Sequence, residues 1–297
     1  MTAWGRTMVV GTDGSPGAQE AVRWAAAMAS ERKRDLLIAH GMEFILRFHD
    51  LDIAGIDEVG TLAQHVAESY VAEAREVALT VDRSLTVTTE IVPESAAALL
   101  VDLSRNARMV VLGGSGMGAL SGILVGSAVP TVVSQAHCPV AVVRDRDGTV
   151  PTVGPVVVGV DGSPNSEQAI GVAFEEASFR GVPLVAVYAW SDITYEYMYG
   201  TAKVMPQWEA IEPAEQRLLA QRLAGCQEDH PDVQVRRRLV RNNPRQALLE
   251  ESAHAQLVVV GSRGRGGFKG LLLGSTSQAL VRQAQCPVLI VRPEPAA

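Results

Sequence analysis

Gly261-Ser-Arg-Gly264-Arg-Gly266-Gly267-Phe-Lys269-Gly270-Leu-Leu-Leu-Gly274-Ser275 stands late in the chain. Gly113-Gly-Ser-Gly116-Met-Gly118-Ala-Leu-Ser121-Gly122-Ile-Leu-Val-Gly126-Ser127 stands 148 residues earlier. Both follow G-x2-G-x9-G-S, and each sits behind a short apolar run, Met109–Leu112 or Leu257–Val260. A short apolar run ending in glycines is the pattern of a buried strand entering a tight loop. Glycine suits such a loop because it reaches positive φ without steric cost and lets a ligand approach the main chain. The closing Gly-Ser opens an apolar helix, expected over Ala128–Gln135 and Thr276–Gln285. Exposed N–H groups followed by a helix N-terminus make an anion site. The stretch is therefore expected to cradle phosphate, twice.

Working outward, the pattern that precedes each loop also repeats. Val9-Val-Gly-Thr-Asp-Gly-Ser-Pro16 returns as Val157-Val-Gly-Val-Asp-Gly-Ser-Pro164, seven of eight residues identical and again 148 apart. The glycine loops share seven of fifteen residues, and Cys138-Pro139-Val140 returns as Cys286-Pro287-Val288 at the same offset. Three separated landmarks with one offset mean an internal duplication. Ser15 and Pro16 form a helix start, an N-cap hydroxyl followed by proline at the first helical position. In the first copy, strands are expected at Thr7–Gly11, Leu36–His40, Thr86–Val92, Met109–Leu112 and Val140–Arg144. Helices are expected from Pro16 through Ser30, over Leu62–Asp82 and over Ser95–Asn106, while Glu43–Gly60 shows no clean period. The domains are set at 1–147 and 156–297, with 148–155 as linker in the Asp-, Gly- and Pro-rich stretch Asp145–Pro155. Strands alternating with helices predict a parallel sheet with helices on both faces. Ligands bind such sheets beyond the carboxyl ends of the strands, where strand order switches. Asp13 and Asp161 follow strand one, and the glycine loops follow strand four, so both arrive at that end.

The totals bound the rest. A chain of 297 residues suits two domains of ordinary size, and 47% apolar with 20% charged residues is globular. A net charge of −7 argues against a general nucleic-acid binder and for a soluble, acidic, cytoplasmic protein. Three cysteines, Cys138, Cys226 and Cys286, make no disulfide framework. Cys138 and Cys286 precede proline at buried strand starts and are expected to be structural. Neither a signal-peptide h-region nor an apolar run of about 18 residues is present, so the protein is not expected to be membrane-embedded.

The Val-Gly-x-Asp-Gly-Ser-Pro starts, the two G-x2-G-x9-G-S loops and the two Cys-Pro-Val stretches resemble the universal stress protein family. The likeness covers almost the whole chain and is greatest to the tandem mycobacterial and actinobacterial type. It implies two tandem Rossmann-like α/β domains of the adenine nucleotide α-hydrolase-like kind. Each would be a five-stranded parallel sheet with helices on both faces, and the two would be arranged as a pseudo-dimer. In this family the glycine pattern marks the ATP-binding branch, so the resemblance implies one ATP site per domain. Carried over by position, Gly113, Gly116, Gly118, Gly126 and Ser127 would cradle phosphate in the first domain. Gly261, Ser262, Arg263, Gly264, Arg265, Gly266, Gly274 and Ser275 would do so in the second. Asp13 and Asp161 would lie beside phosphate or ribose, directly or through a bridging Mg²⁺, because a bare carboxylate repels a triphosphate. The alternative is an aspartate that only shapes the turn. Adenine would meet the main chain near Gly41 or Ala189. Gly11 and Gly159 would permit close approach, and Asp192 would touch ribose. His40, Tyr188 and Trp190 are expected to pack.

The basic residues differ between copies. Arg263, Arg265 and Lys269 are matched by Ser115, Met117 and Ser121. Phosphate in the first loop would lack those charge-assisted bonds, which predicts unequal affinity. No catalytic residue and no metal-ligand spacing such as C-x2-C is found, and G-x4-G-K-[ST] is absent. The resemblance thus implies an ATP-binding regulatory module in growth control or stress survival, not an enzyme, with a homodimer of tandem chains and unidentified regulatory partners. The alternatives are a slow ATP-hydrolysing enzyme of the α-hydrolase group, whose signature loops are missing, and a ligand-free interaction scaffold. Gly116-x-Gly118-x3-Gly122 matches part of a dinucleotide loop but follows strand four instead of strand one.

Overall fold

The computed structural model describes residues 5–42, 56–114, 126–145, 148–190, 208–241, 243–265 and 273–292. It divides into two compact units, Met1–Arg144 and Asp145–Pro293. In the first, β1 (Thr7–Gly11), β2 (Leu36–Gly41), β3 (Val87–Val92), β4 (Ala107–Gly113) and β5 (Val140–Val143) alternate with four helices. These are α1 (Pro16–Glu31), α2 (Ile56–Val81), α3 (Ala96–Leu103) and α4 (Ala128–Gln135). The second repeats the order with β6 (Val156–Val160), α5 (Pro164–Arg180), β7 (Leu184–Trp190), α6 (Trp208–Asp229) and β8 (Val235–Arg241). It continues with α7 (Pro244–Ser252), β9 (Leu257–Gly261), α8 (Ser275–Gln283) and β10 (Val288–Val291).

Strand order is β3-β2-β1-β4-β5 in the first unit and β8-β7-β6-β9-β10 in the second. The pairings within each unit are parallel, as between Val9 and Leu37 or Val157 and Val185. The chain builds outward from β1 through β3, then returns across β1 to place β4 on its other side. The switch in order therefore falls between β1 and β4, and between β6 and β9 in the second unit. Helices α1 and α2 pack together, as do α3 and α4, so two helical layers cover the sheet. The core strands are continuous apolar runs because both faces are covered: Val156, Val157, Val158, Val258, Val259 and Ile290 are fully buried.

Local sequence signals place most ends. Ser15 is extended at φ −68°, ψ 156° and its hydroxyl accepts the Ala18 N–H at 3.2 Å. Ser163 does the same for Ser166 at 3.3 Å, with Pro164 following. The second helix differs from expectation, starting at Ile56, not Leu62. The helix after Ser95 ends at Leu103, and the glycine-loop helix of the second unit spans Ser275–Gln283 instead of Thr276–Gln285.

Each unit holds a carboxylate beyond the end of its long second helix that accepts from a serine of the first helix. Ser30 donates its hydroxyl to Asp82 at 2.5 Å, and Ser178 donates to Asp232 at 2.7 Å. These hydroxyls are the main reason that both carboxyls titrate below their usual range. A carboxylate with a lowered folded value stabilises above its unfolded value and loses that contribution as pH falls through the folded one. Ser30→Ala is expected to lower the melting temperature at neutral pH, with the difference narrowing as pH falls through and below the usual carboxylate range, as thermal unfolding across pH will read. Leu100, 2% exposed under β1, tests the core separately. Leu100→Ala is expected to cost about 3 kcal/mol by denaturant titration.

Candidate functional site

At the carboxyl end of β6 the chain must leave the sheet and enter α5 within three residues. Gly162 adopts φ 74°, and Gly14 takes φ 78° at the same point of the first unit. Only a residue without Cβ holds that conformation cheaply. The aspartate before it braces the turn: Asp161 Oδ1 accepts the Ser163 N–H at 2.9 Å, and Asp13 Oδ1 accepts that of Ser15 at 3.0 Å. The Ser166 hydroxyl accepts the Asp161 N–H at 3.0 Å. So the aspartates do shape the turn.

In the second unit Asp161 does more. Its Oδ2 accepts the Arg265 main-chain N–H at 3.0 Å, reaching from strand one to the glycine loop. A Cβ on Gly264 would collide with the same oxygen. The Ser163 hydroxyl lies 3.4 Å from the Arg263 carbonyl and donates to it, while Asn165 donates its amide to Ser262 Oγ at 3.4 Å. A Cβ on Gly261 would stand 2.8 Å from Asn165 Cβ and 2.9 Å from its carbonyl carbon. Gly274 closes the far end, its N–H bonded to the Ser262 carbonyl at 2.8 Å. The Ser277 hydroxyl caps the Gly261 carbonyl at 2.7 Å. Asp161, Ser163, Ser262, Arg263, Gly264 and Arg265 are thus gathered at one place, and the last three are exposed.

The loop glycines serve close approach, not unusual φ. Among the described residues none of Gly113, Gly114, Gly126, Gly261, Gly264 and Gly274 has positive φ; the glycines that do in these turns are Gly14 and Gly162. That corrects the expectation of positive φ in the described part of the loops. Ser127 and Gly274 are the caps of α4 and α8, and neither makes a side-chain capping bond; Ser275 is the first residue of α8.

In the first unit Gly113 packs on α1, where a Cβ would meet the Gly17 carbonyl oxygen at 2.6 Å. Gly114 donates to the Val143 carbonyl at 2.9 Å and accepts the Gly126 N–H at 3.4 Å. Arg144 Nη1 lies 3.1 Å from where a Cβ on Gly114 would be. Gly116, Gly118, Asp192 and Gly266 lie outside the described residues. At Gly11 and Gly159 the space of the missing Cβ is taken by Leu100 and Leu112, and by Leu248 and Val260. At Gly41 it is taken by the Ala96 nitrogen and the Glu94 carbonyl oxygen. These three glycines seat helices on the sheet. Ala189 is half-buried near the end of β7.

What covers the turn was not anticipated. In the first unit the Tyr70 ring of α2 stands where a Cβ on Gly14 would be. Tyr70 meets His40 edge-on at 5.8 Å, and His40 Nδ1 donates to the Thr12 carbonyl at 2.8 Å. In the second unit the Nη2 atoms of Arg222, on α6, and Arg265 stand at that spot on Gly162. Arg222 also pairs closely with Glu167 of α5. Tyr188, matched to His40, is buried, and burial with the adjoining Glu215 carboxylate raises its phenol above the usual range. Arg292, matched to Arg144, titrates below its usual value through burial and then the Arg263 charge. Comparing positions 148 apart would have exposed Arg222, which stands where the first copy has Ala74.

The universal stress protein family model matches residues 5–144 and again 152–292. The chain belongs to the universal stress protein family. A universal stress protein of Mycobacterium tuberculosis is 40% identical over 297 residues, covering 96% of each chain. One of Mycolicibacterium smegmatis is 42% identical over 293 residues, covering 96% of this chain and 97% of its own. The tandem organisation is therefore that of actinobacterial members. The crystal structure of a universal stress protein from Archaeoglobus fulgidus matches with a TM-score of 0.70 over 97% of this chain and 98% of that one. At 17% identity it speaks for the fold alone.

No helix among the described residues is long and apolar enough to cross a membrane, and no group of three His, Cys, Asp or Glu among them could hold a metal ion. Cys138 and Cys286 are fully buried at their strand starts, and burial pushes the Cys138 thiol up to about 12. Cys226 is half-exposed. Alkylation of the folded chain at pH 8 is expected to label Cys226 alone, and all three cysteines after denaturation, as intact-mass measurement will show.

Proposed function

We propose that each domain binds ATP at the switch point of its sheet, and that the chain works as a nucleotide-dependent regulatory module in growth control or stress survival. The observation that carries the reading is the second-domain cluster. Main-chain groups of 261–265, the α8 N-terminus and the side chain of Arg265 meet at the end of β9, across from Asp161 on the end of β6. That set suits a polyanion: N–H donors, a helix dipole and guanidinium groups at one end of the sheet. The Arg265 N–H now held by Asp161 is of the kind that would turn to a phosphate oxygen.

Where ATP carries Mg²⁺, Asp13 and Asp161 each offer one carboxylate, which suits an ion that takes one or two carboxylates with phosphates and water. The ion would offset the repulsion between carboxylate and phosphate. Binding, not turnover, is the proposed role: the chain has no G-x4-G-K-[ST] and no His or Glu at a matched position in both loops to orient a water. We place the protein in the cytoplasm as a homodimer of tandem chains that signals through protein partners.

Protein purified without added nucleotide and then denatured is expected to release close to two adenine nucleotides per chain, measured by chromatography. Gly264→Ala, which sets a methyl against Asp161, is expected to remove the second-domain share. Gly126→Ala is expected to remove the first. Release of none, with no thermal shift on adding ATP and Mg²⁺, would leave a ligand-free interaction scaffold.

A further inference from the structure

Helix α6 places two charged residues on its core-facing stripe. Glu215, Leu219, Arg222 and Leu223 recur at i, i+4, i+7 and i+8, the spacing of one buried face. Leu219 and Leu223 are 0% and 1% exposed, and Glu215 is 9% exposed. The matched positions in α2 are Ala67, Val71, Ala74 and Arg75, with Ala67 at 1% and Ala74 at 0% exposed. Two buried alanines in one copy thus stand against Glu215 and Arg222 in the other. A charge on a core face is costly unless it is paired or has a task.

Arg222 is partly paired. Its Nη1 meets Glu167 Oε1, and its side chain is 23% exposed. Its Nε is buried with no hydrogen-bond partner among the described residues. Its Nη2 stands over Gly162 beside Nη2 of Arg265, so two guanidinium groups converge on the turn that carries Asp161. The Glu167 position is Gln19 in the first domain, so both members of the ion pair are uncharged there. A charged pair serving only to brace two helices would have no reason to bring a second guanidinium to the same spot, since like charges repel. A polyanion between them turns that repulsion into binding, as planar guanidinium forks match phosphate oxygens.

We propose that Arg222 is the residue that reads phosphate charge in the second domain: with Arg265 it clamps the distal phosphates of a nucleoside triphosphate, and Glu167 holds it when no triphosphate is bound. The inference rests on the nucleotide reading above. The first domain, with Tyr70 over the same glycine and Ala74 at the matched position, lacks the clamp and does not discriminate triphosphate from monophosphate by this means.

The test is hydrogen exchange by mass spectrometry on the intact chain during titration with ATP or with AMP. Protection over 161–167 and 259–265 reads the second site, and protection over 11–19 reads the first. Arg222→Gln is expected to weaken ATP at the second site roughly tenfold, while AMP there and both nucleotides at the first site change by less than about twofold. Glu167→Gln, at a half-exposed carboxylate on α5, is expected to act in the opposite sense and tighten ATP at the second site. A brace would behave otherwise: both variants would loosen the helices alike and leave the ATP-to-AMP ratio unchanged, and that result overturns the proposal. If neither nucleotide protects 259–265 in the unaltered protein, the nucleotide reading itself falls.

Discussion

The functional end of each unit depends on one tight turn. Strand one must stop, reverse and deliver a helix in three or four residues, and Asp-Gly-Ser does this with a division of tasks. Glycine takes positive φ, aspartate accepts the serine N–H, and serine caps the helix that follows. None of the three tasks can be moved to a neighbour, because each depends on the geometry that the other two set. In the second unit the same aspartate uses its other oxygen to hold the glycine loop from strand four. Two elements a hundred residues apart in sequence are thereby tied at the switch point of the sheet.

A common backbone carries two different electrostatic surfaces. Over Gly14 lies an aromatic ring, itself packed on an imidazole; over Gly162 lie two guanidinium groups. The duplication kept the residues that shape the main chain and changed those that decide what approaches it. Arg144 and Arg292, at the ends of the last strands, are kept in both copies. The charge that distinguishes the copies comes instead from the loop arginines Arg263 and Arg265, and from Arg222 on α6.

On the proposed reading, a phosphate arriving beside Asp161 would meet groups that the protein already partners. The main-chain N–H of Arg265 has a protein partner, and Arg222 has Glu167. An incoming phosphate would exchange these internal contacts for its own, so affinity would depend on the difference between the two sets.

Much of the fold was legible in the sequence because it rests on local rules. The repeat, the serine caps with their prolines, the buried valine strands and the parallel α/β order all follow from periodicity and short-range geometry, which a linear reading contains. The start of α2 at Ile56 escaped because the stretch Glu43–Gly60 has no clean apolar period. The roles of Gly11, Gly41 and Gly159 escaped because a glycine beside a packed leucine or helix backbone looks, in one dimension, like a glycine beside a ligand. What only the tertiary structure decided is which distant side chains meet. Arg222 and Arg265 belong to a helix and a loop more than 40 residues apart, and nothing in the local pattern of either shows that both tips arrive at Gly162. Sequence alone determined the architecture and the end of the sheet where a ligand would bind. The packing of α6 and α2 over the turn decided the chemistry that the two sites offer, because that packing sets distances between groups that no sequence spacing contains.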